Sequence, residues 1–193
     1  MEQPKPILRL TERALRLALS VVLSLIKFSD LPFGGSVTLF SMLPVVIIAY
    51  RYGTRWGLLI GFVSGLLQML LGMSNLKYGT TPLAVIAIIL LDYVIAFGVQ
   101  GLGGIFRKLP HQGLGLALGG GLACVLRYLC HVASGVTVWK DFAPEEMNLF
   151  AYSFSYNATY MVPETIITVV GAFLIALVLD FRSKNITKPQ KVK

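Results

Sequence analysis

Six apolar stretches, most of them separated by short polar connectors, set the strongest limit on what this sequence can fold into. They lie at about residues 9–27, 37–50, 57–73, 82–106, 113–131 and 160–180. A helix that crosses the roughly 30 Å hydrocarbon core of a bilayer needs about 20 apolar residues. Only 13% of the 193 residues are charged, whereas soluble domains have about 25%. We therefore predict an all-α integral membrane protein with six transmembrane helices in one bundle.

The six stretches fill most of the chain and predict a single membrane domain. We expect a six-helix membrane domain over residues 1–181 and a basic cytoplasmic tail over residues 182–193. The sequence does not open with a charged segment, a short apolar segment and a cleavage site, so the first apolar stretch is expected to remain in the protein.

The basic residues predict how the chain is oriented. If the chain crosses six times, 13 of its 17 Lys and Arg residues lie on the side of the two termini. Cytoplasmic loops carry an excess of Lys and Arg, so both termini are expected in the cytoplasm. The net charge of +8 then reflects topology. The spans are expected to contact membrane lipid, and we predict no nucleic-acid partner because the basic residues form no stripe with interleaved aromatic residues.

One acidic residue, Asp92, lies inside the fourth apolar stretch. Ten residues from Pro82 at about 1.5 Å each place it near the middle of the bilayer. Ionisable groups at that depth are costly and commonly mark a ligand or ion pathway. The alternative is a structural ion pair with Arg127 or with a group near Glu164.

The end of the fifth stretch holds two aromatic residues at helical spacing. His131, Gly135 and Trp139 recur every four residues, so a continuing helix would place them on one face, with a gap at the glycine. Such a gap suits a flat ligand. A straight helix would separate the two rings by about 12 Å, so either it bends or each ring meets a different part of the ligand. The alternative for Trp139 is an interfacial aromatic belt.

The connection before the sixth stretch, residues 132–159, is long enough to be functional or disordered, and its aromatic content argues against disorder. It contains Tyr152 and Asn157. A phenol beside an amide can donate and accept hydrogen bonds, and recognition of the edge of a heterocycle requires both. Alternatively, Asn157 could be the N-cap of the sixth helix.

Enzyme motifs are missing from the sequence. It contains no phosphate-binding loop, no H-E-x-x-H and no G-x-S-x-G, so we predict no catalytic residues and no ATP hydrolysis by this chain. Cys124 and Cys130 form no C-x-x-C pattern, so we predict no metal site. Ala14 and Ala18 are small residues four apart on the first stretch, a spacing that permits close helix packing with a partner or within the bundle.

Several motifs together resemble one family over nearly the whole chain. They are Gly34-Gly35-Ser36-Val37-Thr38-Leu39, Leu91-Asp92-Tyr93-Val94-Ile95-Ala96-Phe97, Arg127-Tyr128-Leu129-Cys130-His131, Ser134-Gly135-Val136, Trp139, Phe142-Ala143-Pro144-Glu145, Tyr152-Ser153 and Tyr156-Asn157. In these motifs the sequence resembles the thiamine-specific substrate-binding (S) subunits of energy-coupling factor (ECF) transporters.

The resemblance implies a fold, a ligand and partners. It implies a bundle of six helices in the bacterial plasma membrane that binds thiamine in an outward-opening pocket, with no cofactor. Ligand roles are implied for six residues of the matching motifs: Asp92, Tyr93, His131, Trp139, Tyr152 and Asn157. It also implies that Ala14 and Ala18 face a transmembrane coupling subunit, which works with two ATPase subunits that use ATP.

The chemistry of thiamine agrees with these residues. Thiamine joins an aminopyrimidine to a permanently cationic thiazolium, so a binder needs a carboxylate and aromatic faces. Asp92 with Trp139 or His131 provides both, and a desolvated cation–π contact is worth about 2 kcal/mol. We expect His131 to be uncharged beside a cation.

The sequence departs from the family at two positions and leaves two other functions open. Some members have glutamate where this chain has Asp92, and some have tryptophan in the first outer loop, where this chain has Phe33. One alternative function is an S subunit for a related vitamin or pyrimidine precursor. The other is a membrane enzyme that uses Asp92 and His131 as an acid/base pair.

Overall fold

The structure is a computed structural model that describes residues 6–31, 35–183 and 186. Its helices, in chain order, are α1 (Pro6–Ser24), α2 (Leu43–Tyr52), α3 (Thr54–Leu71), α4 (Pro82–Ile88), α5 (Ile95–Gly98), α6 (Gln112–Thr137) and α7 (Leu149–Val178). A π-helical segment, Ile89–Val94, joins α4 to α5, and a 3-10 helix, Val99–Lys108, continues α5. These segments form one helical rod over Pro82–Lys108. Shorter 3-10 helices lie at Met73–Tyr78 and Lys140–Phe142.

Four of the described helical segments are long and apolar enough to cross a membrane. They are α3, the rod Pro82–Lys108, α6 and α7. Helix α1 has 19 residues, of which four are charged, and α2 has only 10. The predicted helical membrane fold is thus confirmed, whereas the count of six spans stays a prediction. Most of the predicted tail, residues 182–193, lies outside the described residues.

Helix α2 is the centre of the bundle. Nine of its ten residues are buried, and Val45, Val46, Ile48, Ala49 and Tyr50 have no exposed surface. Neighbouring helices cover α2 on all sides, so its apolar side chains contact protein.

Glycines allow the helices to come close. A Cβ on Gly119 of α6 would lie 2.3 Å from the carbonyl oxygen of Gly103, and one on Gly101 would lie 2.1 Å from the backbone nitrogen of Leu58 in α3. Small residues permit such backbone contacts between helices in lipid.

A short antiparallel hairpin interrupts the helices. Strand β1 (Lys27–Asp30) pairs with β2 (Ser36–Thr38), with an irregular register between Lys27 and Ser29. The sequence indicated only a polar connector between the first two apolar stretches, 9–27 and 37–50. Strands of three and four residues are too short for a period-two pattern to distinguish them from a loop.

The predicted long connection at residues 132–159 is wrong. Helix α6 continues to Thr137 and α7 begins at Leu149, so only residues 138–148 connect them. The N-cap of α7 is Asn148, whose side chain accepts hydrogen bonds from the amides of Phe150 and Ala151. Asn157 therefore lies within α7 and is not its N-cap. The polar residues before position 160 lower the hydropathy of a segment that is nevertheless helical.

The start of α1, the end of α2 and the end of α7 meet at one end of the bundle. Arg51 pairs with Glu12 at 3.0 Å and donates to the carbonyl oxygens of Phe181 and Ser183 at 2.8 and 2.7 Å. The other end of the bundle, where α1 ends and α7 begins, holds the candidate site.

Candidate ligand-binding site

A cavity of about 480 Å³ opens at this second end of the bundle. It is of the size that small-molecule sites have, about 300–1,000 Å³. Ser24 at the end of α1, both strands of the hairpin and Tyr152 in the first turn of α7 contribute to its wall. Among its lining residues are all six that the resemblance implied as ligand contacts: Asp92, Tyr93, His131, Trp139, Tyr152 and Asn157.

Asp92 lies in the π-helical segment of the rod. A π turn widens the helix locally and occurs frequently at functional sites. Two neighbours in sequence, Asp92 and Tyr93, both line the cavity. The Asp92 side chain is 16% exposed, which leaves it accessible from the cavity.

The Asp92 carboxylate accepts hydrogen bonds from three side chains. His131 Nδ1 lies 3.1 Å from Oδ1, while Ser134 Oγ and Trp139 Nε1 donate to Oδ2 at 2.7 and 3.2 Å. These four residues come from two parts of the chain that are about 40 positions apart, so folding assembles the group.

Arg127 determines the protonation pattern of His131. Arg127 Nε donates to His131 Nε2 at 3.2 Å, so Nε2 is an acceptor. Nδ1 then carries the hydrogen and donates it to Asp92, which corresponds to the neutral imidazole that the sequence predicted. The Arg127 guanidinium also lies 4.4 Å from the centre of the Phe97 ring. The suggested ion pair between Asp92 and Arg127 or a group near Glu164 is wrong, because the Asp92 partners are His131, Ser134 and Trp139.

Trp139 belongs to a cluster of three aromatic rings. Its ring centre lies 5.3 Å from that of Tyr78 and 5.8 Å from that of Phe142, and Tyr78 and Phe142 are 5.5 Å apart. Trp139 and Phe142 line the cavity. Tyr78 and Phe142 were not among the site residues predicted from the sequence. Their position in connectors on the same side of the predicted bundle was the available signal.

Gly135 lacks a side chain for a reason other than the ligand gap that the sequence suggested. A Cβ there would lie 2.0 Å from Ser153 Oγ and 2.9 Å from Ser153 Cβ, so Gly135 allows α7 to approach α6. The helix also ends at Thr137, before Trp139. His131 and Trp139 therefore reach the same carboxylate instead of stacking along one straight helix face.

Tyr93 is fixed at the edge of the cavity. Its hydroxyl donates to the carbonyl oxygen of Gly72 at 3.0 Å and accepts from Asn75 Nδ2 at 3.2 Å. These bonds connect the rod to the 3-10 helix after α3.

Asn157 lies within α7 and already uses both amide hydrogens inside the protein. Nδ2 donates to the carbonyl oxygens of Ser153 at 2.8 Å and His131 at 3.4 Å, and Oδ1 accepts from the Tyr160 hydroxyl at 2.5 Å. Asn157 thus connects α6 to α7 and keeps one acceptor lone pair for a ligand. One turn earlier, the ring of Tyr152 stacks on Tyr156 with centres 6.0 Å apart.

Ala14 and Ala18 lie away from the cavity. Both are exposed on α1, next to the exposed Leu15 and Leu19. The alternative that this pair packs within the bundle is therefore wrong, and the pair belongs to an apolar surface on the outside. Within the described part of the chain, no group of three or more His, Cys, Asp or Glu side chains could hold a metal ion.

The fold is that of a helical membrane protein with a cavity of small-ligand size between its helices, and comparisons identify the family. The sequence profile of the thiamine transporter protein family matches residues 10–184. The chain belongs to this family. It is 35% identical to the thiamine transporter ThiT of Bacillus subtilis, over 88% of this chain and 91% of the relative.

Two further comparisons agree. The thiamine transporter ThiT of Lacticaseibacillus paracasei is 27% identical, over 88% of this chain and 87% of the relative. A solved structure of ThiT from Listeria monocytogenes has the same fold, with a TM-score of 0.67 and 23% identity over 90% of this chain and 94% of that one. Because the family and these relatives are transporters, the prediction that the chain is not an enzyme is confirmed, and the acid/base alternative for Asp92 and His131 is wrong.

Proposed function

We propose that this chain binds thiamine in the cavity and is the S subunit of an ECF-type transporter. One observation supports the proposal most: in a cavity of about 480 Å³, the Asp92 carboxylate accepts a hydrogen bond from Trp139, whose ring packs with those of Tyr78 and Phe142. A carboxylate next to aromatic faces suits a flat organic cation.

The electrostatics of Asp92 favour a cationic ligand. Its hydrogen-bond donors are a neutral imidazole, a hydroxyl and an indole, none of which neutralises its charge. No Lys or Arg of the described residues forms an ion pair with it. Arg127 also lines the cavity but reaches the carboxylate only through His131. The thiazolium of thiamine would supply a direct countercharge, and the face of Trp139 would add a cation–π contact of about 2 kcal/mol.

The ligand roles of the six lining residues follow from this arrangement. Asp92 balances the charge, and Trp139 and His131 provide aromatic surface. Tyr152 offers a ring and a hydroxyl near the opening. Tyr93 and Asn157 hold neighbouring segments in place and present one oxygen each to the ligand.

We also propose six membrane crossings, with both termini in the cytoplasm. Helices α1 and α2 would complete the four spans that length and hydropathy identify. Basic residues gather where α1 begins and α7 ends, in agreement with the excess of Lys and Arg expected in the cytoplasm. The cavity then opens to the outside, and residues 182–193 form the basic tail.

The proposed function as an S subunit includes partner subunits, which would supply the ATP hydrolysis for which this sequence holds no motif. We propose that the exposed Ala14 and Ala18 of α1 contact a transmembrane coupling subunit, which two ATPase subunits drive with ATP. Small residues four apart let two helices approach closely in lipid.

Titration of the detergent-purified protein with thiamine, without ATP or metal, tests the ligand. Thiamine should change tryptophan fluorescence and raise the melting temperature, because a ligand that binds only the folded state stabilises it. A pyrimidine precursor of thiamine, which lacks the thiazolium, should bind more weakly. If thiamine changes neither signal, the proposed ligand is wrong.

A further inference from the structure

A buried carboxylate with no role in the proposed contacts lies next to the cavity. Glu164 of α7 is 1% exposed. Its Oε2 accepts from the backbone amide of Thr38 at 2.7 Å, and its Oε1 accepts from the Thr38 hydroxyl at 2.8 Å. No cationic nitrogen of the described residues lies within ion-pair distance of it. Ionisable residues inside membrane proteins are expensive and are commonly functional.

Two residues separate Glu164 from the cavity. Thr38 and Ser41 line the cavity, and each is 6% exposed. Their hydroxyl oxygens lie 2.6 Å apart, and Ser41 Oγ lies 3.4 Å from Glu164 Oε1. We refer to Thr38 and Ser41 as the hydroxyl wall.

The number of hydrogens in the cluster determines whether the hydroxyl wall acts as a hydrogen-bond donor or acceptor toward a ligand. Each hydroxyl has one hydrogen, and a carboxylate has none. The two short contacts, 2.6 Å between the hydroxyls and 2.8 Å from Thr38 to Oε1, each need a hydrogen, so Ser41 donates to Thr38 and Thr38 donates to Glu164. In this arrangement both hydrogens stay within the cluster. The hydroxyl wall therefore offers a ligand only acceptor lone pairs.

We infer that Glu164 is a positioning residue that makes the hydroxyl wall an acceptor, and that the wall binds a hydrogen-bond donor of the ligand. This inference rests on the proposed function. In thiamine, the amino group of the pyrimidine is a donor at the ring edge. The hydroxyl wall thus favours thiamine over the analogue with a carbonyl in place of that amino group.

Glu164→Gln should change the hydroxyl wall from a hydrogen-bond acceptor to a donor, with little change in the shape of the side chain. The amide oxygen can accept from the Thr38 backbone, and the amide nitrogen then donates to the Thr38 hydroxyl. Thr38 in turn donates to Ser41, which leaves the Ser41 hydrogen for the cavity. The hydroxyl wall would become a donor and would accommodate a carbonyl.

The test compares the dissociation constants of thiamine and its 4-oxo analogue in purified protein. The preference of the wild type for thiamine should fall by about 10-fold or more in Glu164→Gln, the effect of one well-placed hydrogen bond. Ser41→Ala removes one acceptor and should shift the ratio in the same direction. Ser64→Ala is the matched control, since Ser64 is fully buried but does not line the cavity, and should leave the ratio unchanged.

The results separate this inference from the proposed function. An unchanged ratio in a folded Glu164→Gln protein that binds thiamine overturns the inference and leaves the function intact. If Glu164→Gln does not fold, Ser41→Ala decides: an unchanged ratio overturns the inference, and a lowered ratio supports it. A wild type that binds neither compound overturns the proposed function, and the inference with it.

Discussion

Trp139 Nε1 donates a hydrogen bond of 3.2 Å to Asp92 Oδ2, across 47 positions of the sequence. The bond joins the connector after α6 to the π-helical segment of the rod. It orients the indole beside the carboxylate, so that a ligand in the cavity would meet a negative charge and an aromatic face together.

Asp92→Asn should weaken thiamine binding by about 10-fold or more, because it removes the countercharge and keeps the shape. A hydrogen bond to a charged group is worth about 1.5–3 kcal/mol. The dissociation constant, measured by titration of purified protein, checks this. Asp141→Asn, in the exposed connector between α6 and α7, is the matched control and should not affect binding. Unchanged affinity in Asp92→Asn would leave Asp92 with a structural role only.

Trp139→Ala should remove most of the fluorescence change that thiamine causes. The chain has two tryptophans, and the other, Trp56, stacks under Arg13 at the opposite end of the bundle. Trp56→Phe should therefore keep the change. A third variant, Trp139→Phe, keeps a ring but loses the donor to Asp92, and should bind with an affinity between wild type and Trp139→Ala. If Trp139→Ala keeps the full fluorescence change, then a residue other than Trp139 reports thiamine binding.

Gly135→Ala should destabilise the protein by about 1–3 kcal/mol, since the added Cβ overlaps Ser153 between α6 and α7. The melting temperature in detergent measures this. Gly121→Ala on the same helix is the control, because its Cβ would meet only Val169 Cγ2 at 3.5 Å, an ordinary contact. Adding Ser153→Gly to Gly135→Ala should restore part of the loss. Equal melting temperatures for the two single variants would contradict the close approach of the helices.

Replacing both Ala14 and Ala18 by Trp should abolish co-purification with the transmembrane coupling subunit and ATP-driven uptake. Thiamine affinity of the isolated chain should stay nearly unchanged, because both alanines are exposed on α1 and lie away from the cavity. A double variant with Val162→Trp and Ile166→Trp, an exposed pair four apart on α7, is the control and should still co-purify. Retained co-purification in the α1 variant would mean that the partner uses another face.

Some site residues could be predicted because their signal is local. An aspartate within an apolar run stands out at any depth of the bilayer, and Asp92 was identified on that ground. His131 and Trp139 were identified by their helical spacing. The spacing left their geometry open, and the structure decides it: α6 ends at Thr137, and both side chains bond to the Asp92 carboxylate.

Other features carry no local signal. The serine, tyrosine and asparagine residues before position 160 look like a loop because hydropathy averages over all faces of a helix. In the structure they belong to α7, and several of them line the cavity. The hairpin was missed because its strands are too short to show a period.

The sequence by itself determined that this protein consists of helices in a membrane, with a carboxylate and aromatic residues inside. A bilayer requires long apolar runs, and a polar residue within such a run is easily recognised. Only the tertiary structure decided which groups meet. It paired Asp92 with Trp139 and Glu164 with Thr38, and it brought Gly135 against Ser153. Such contacts join positions far apart in the chain, and their energies depend on distances between helices that no local pattern of residues encodes.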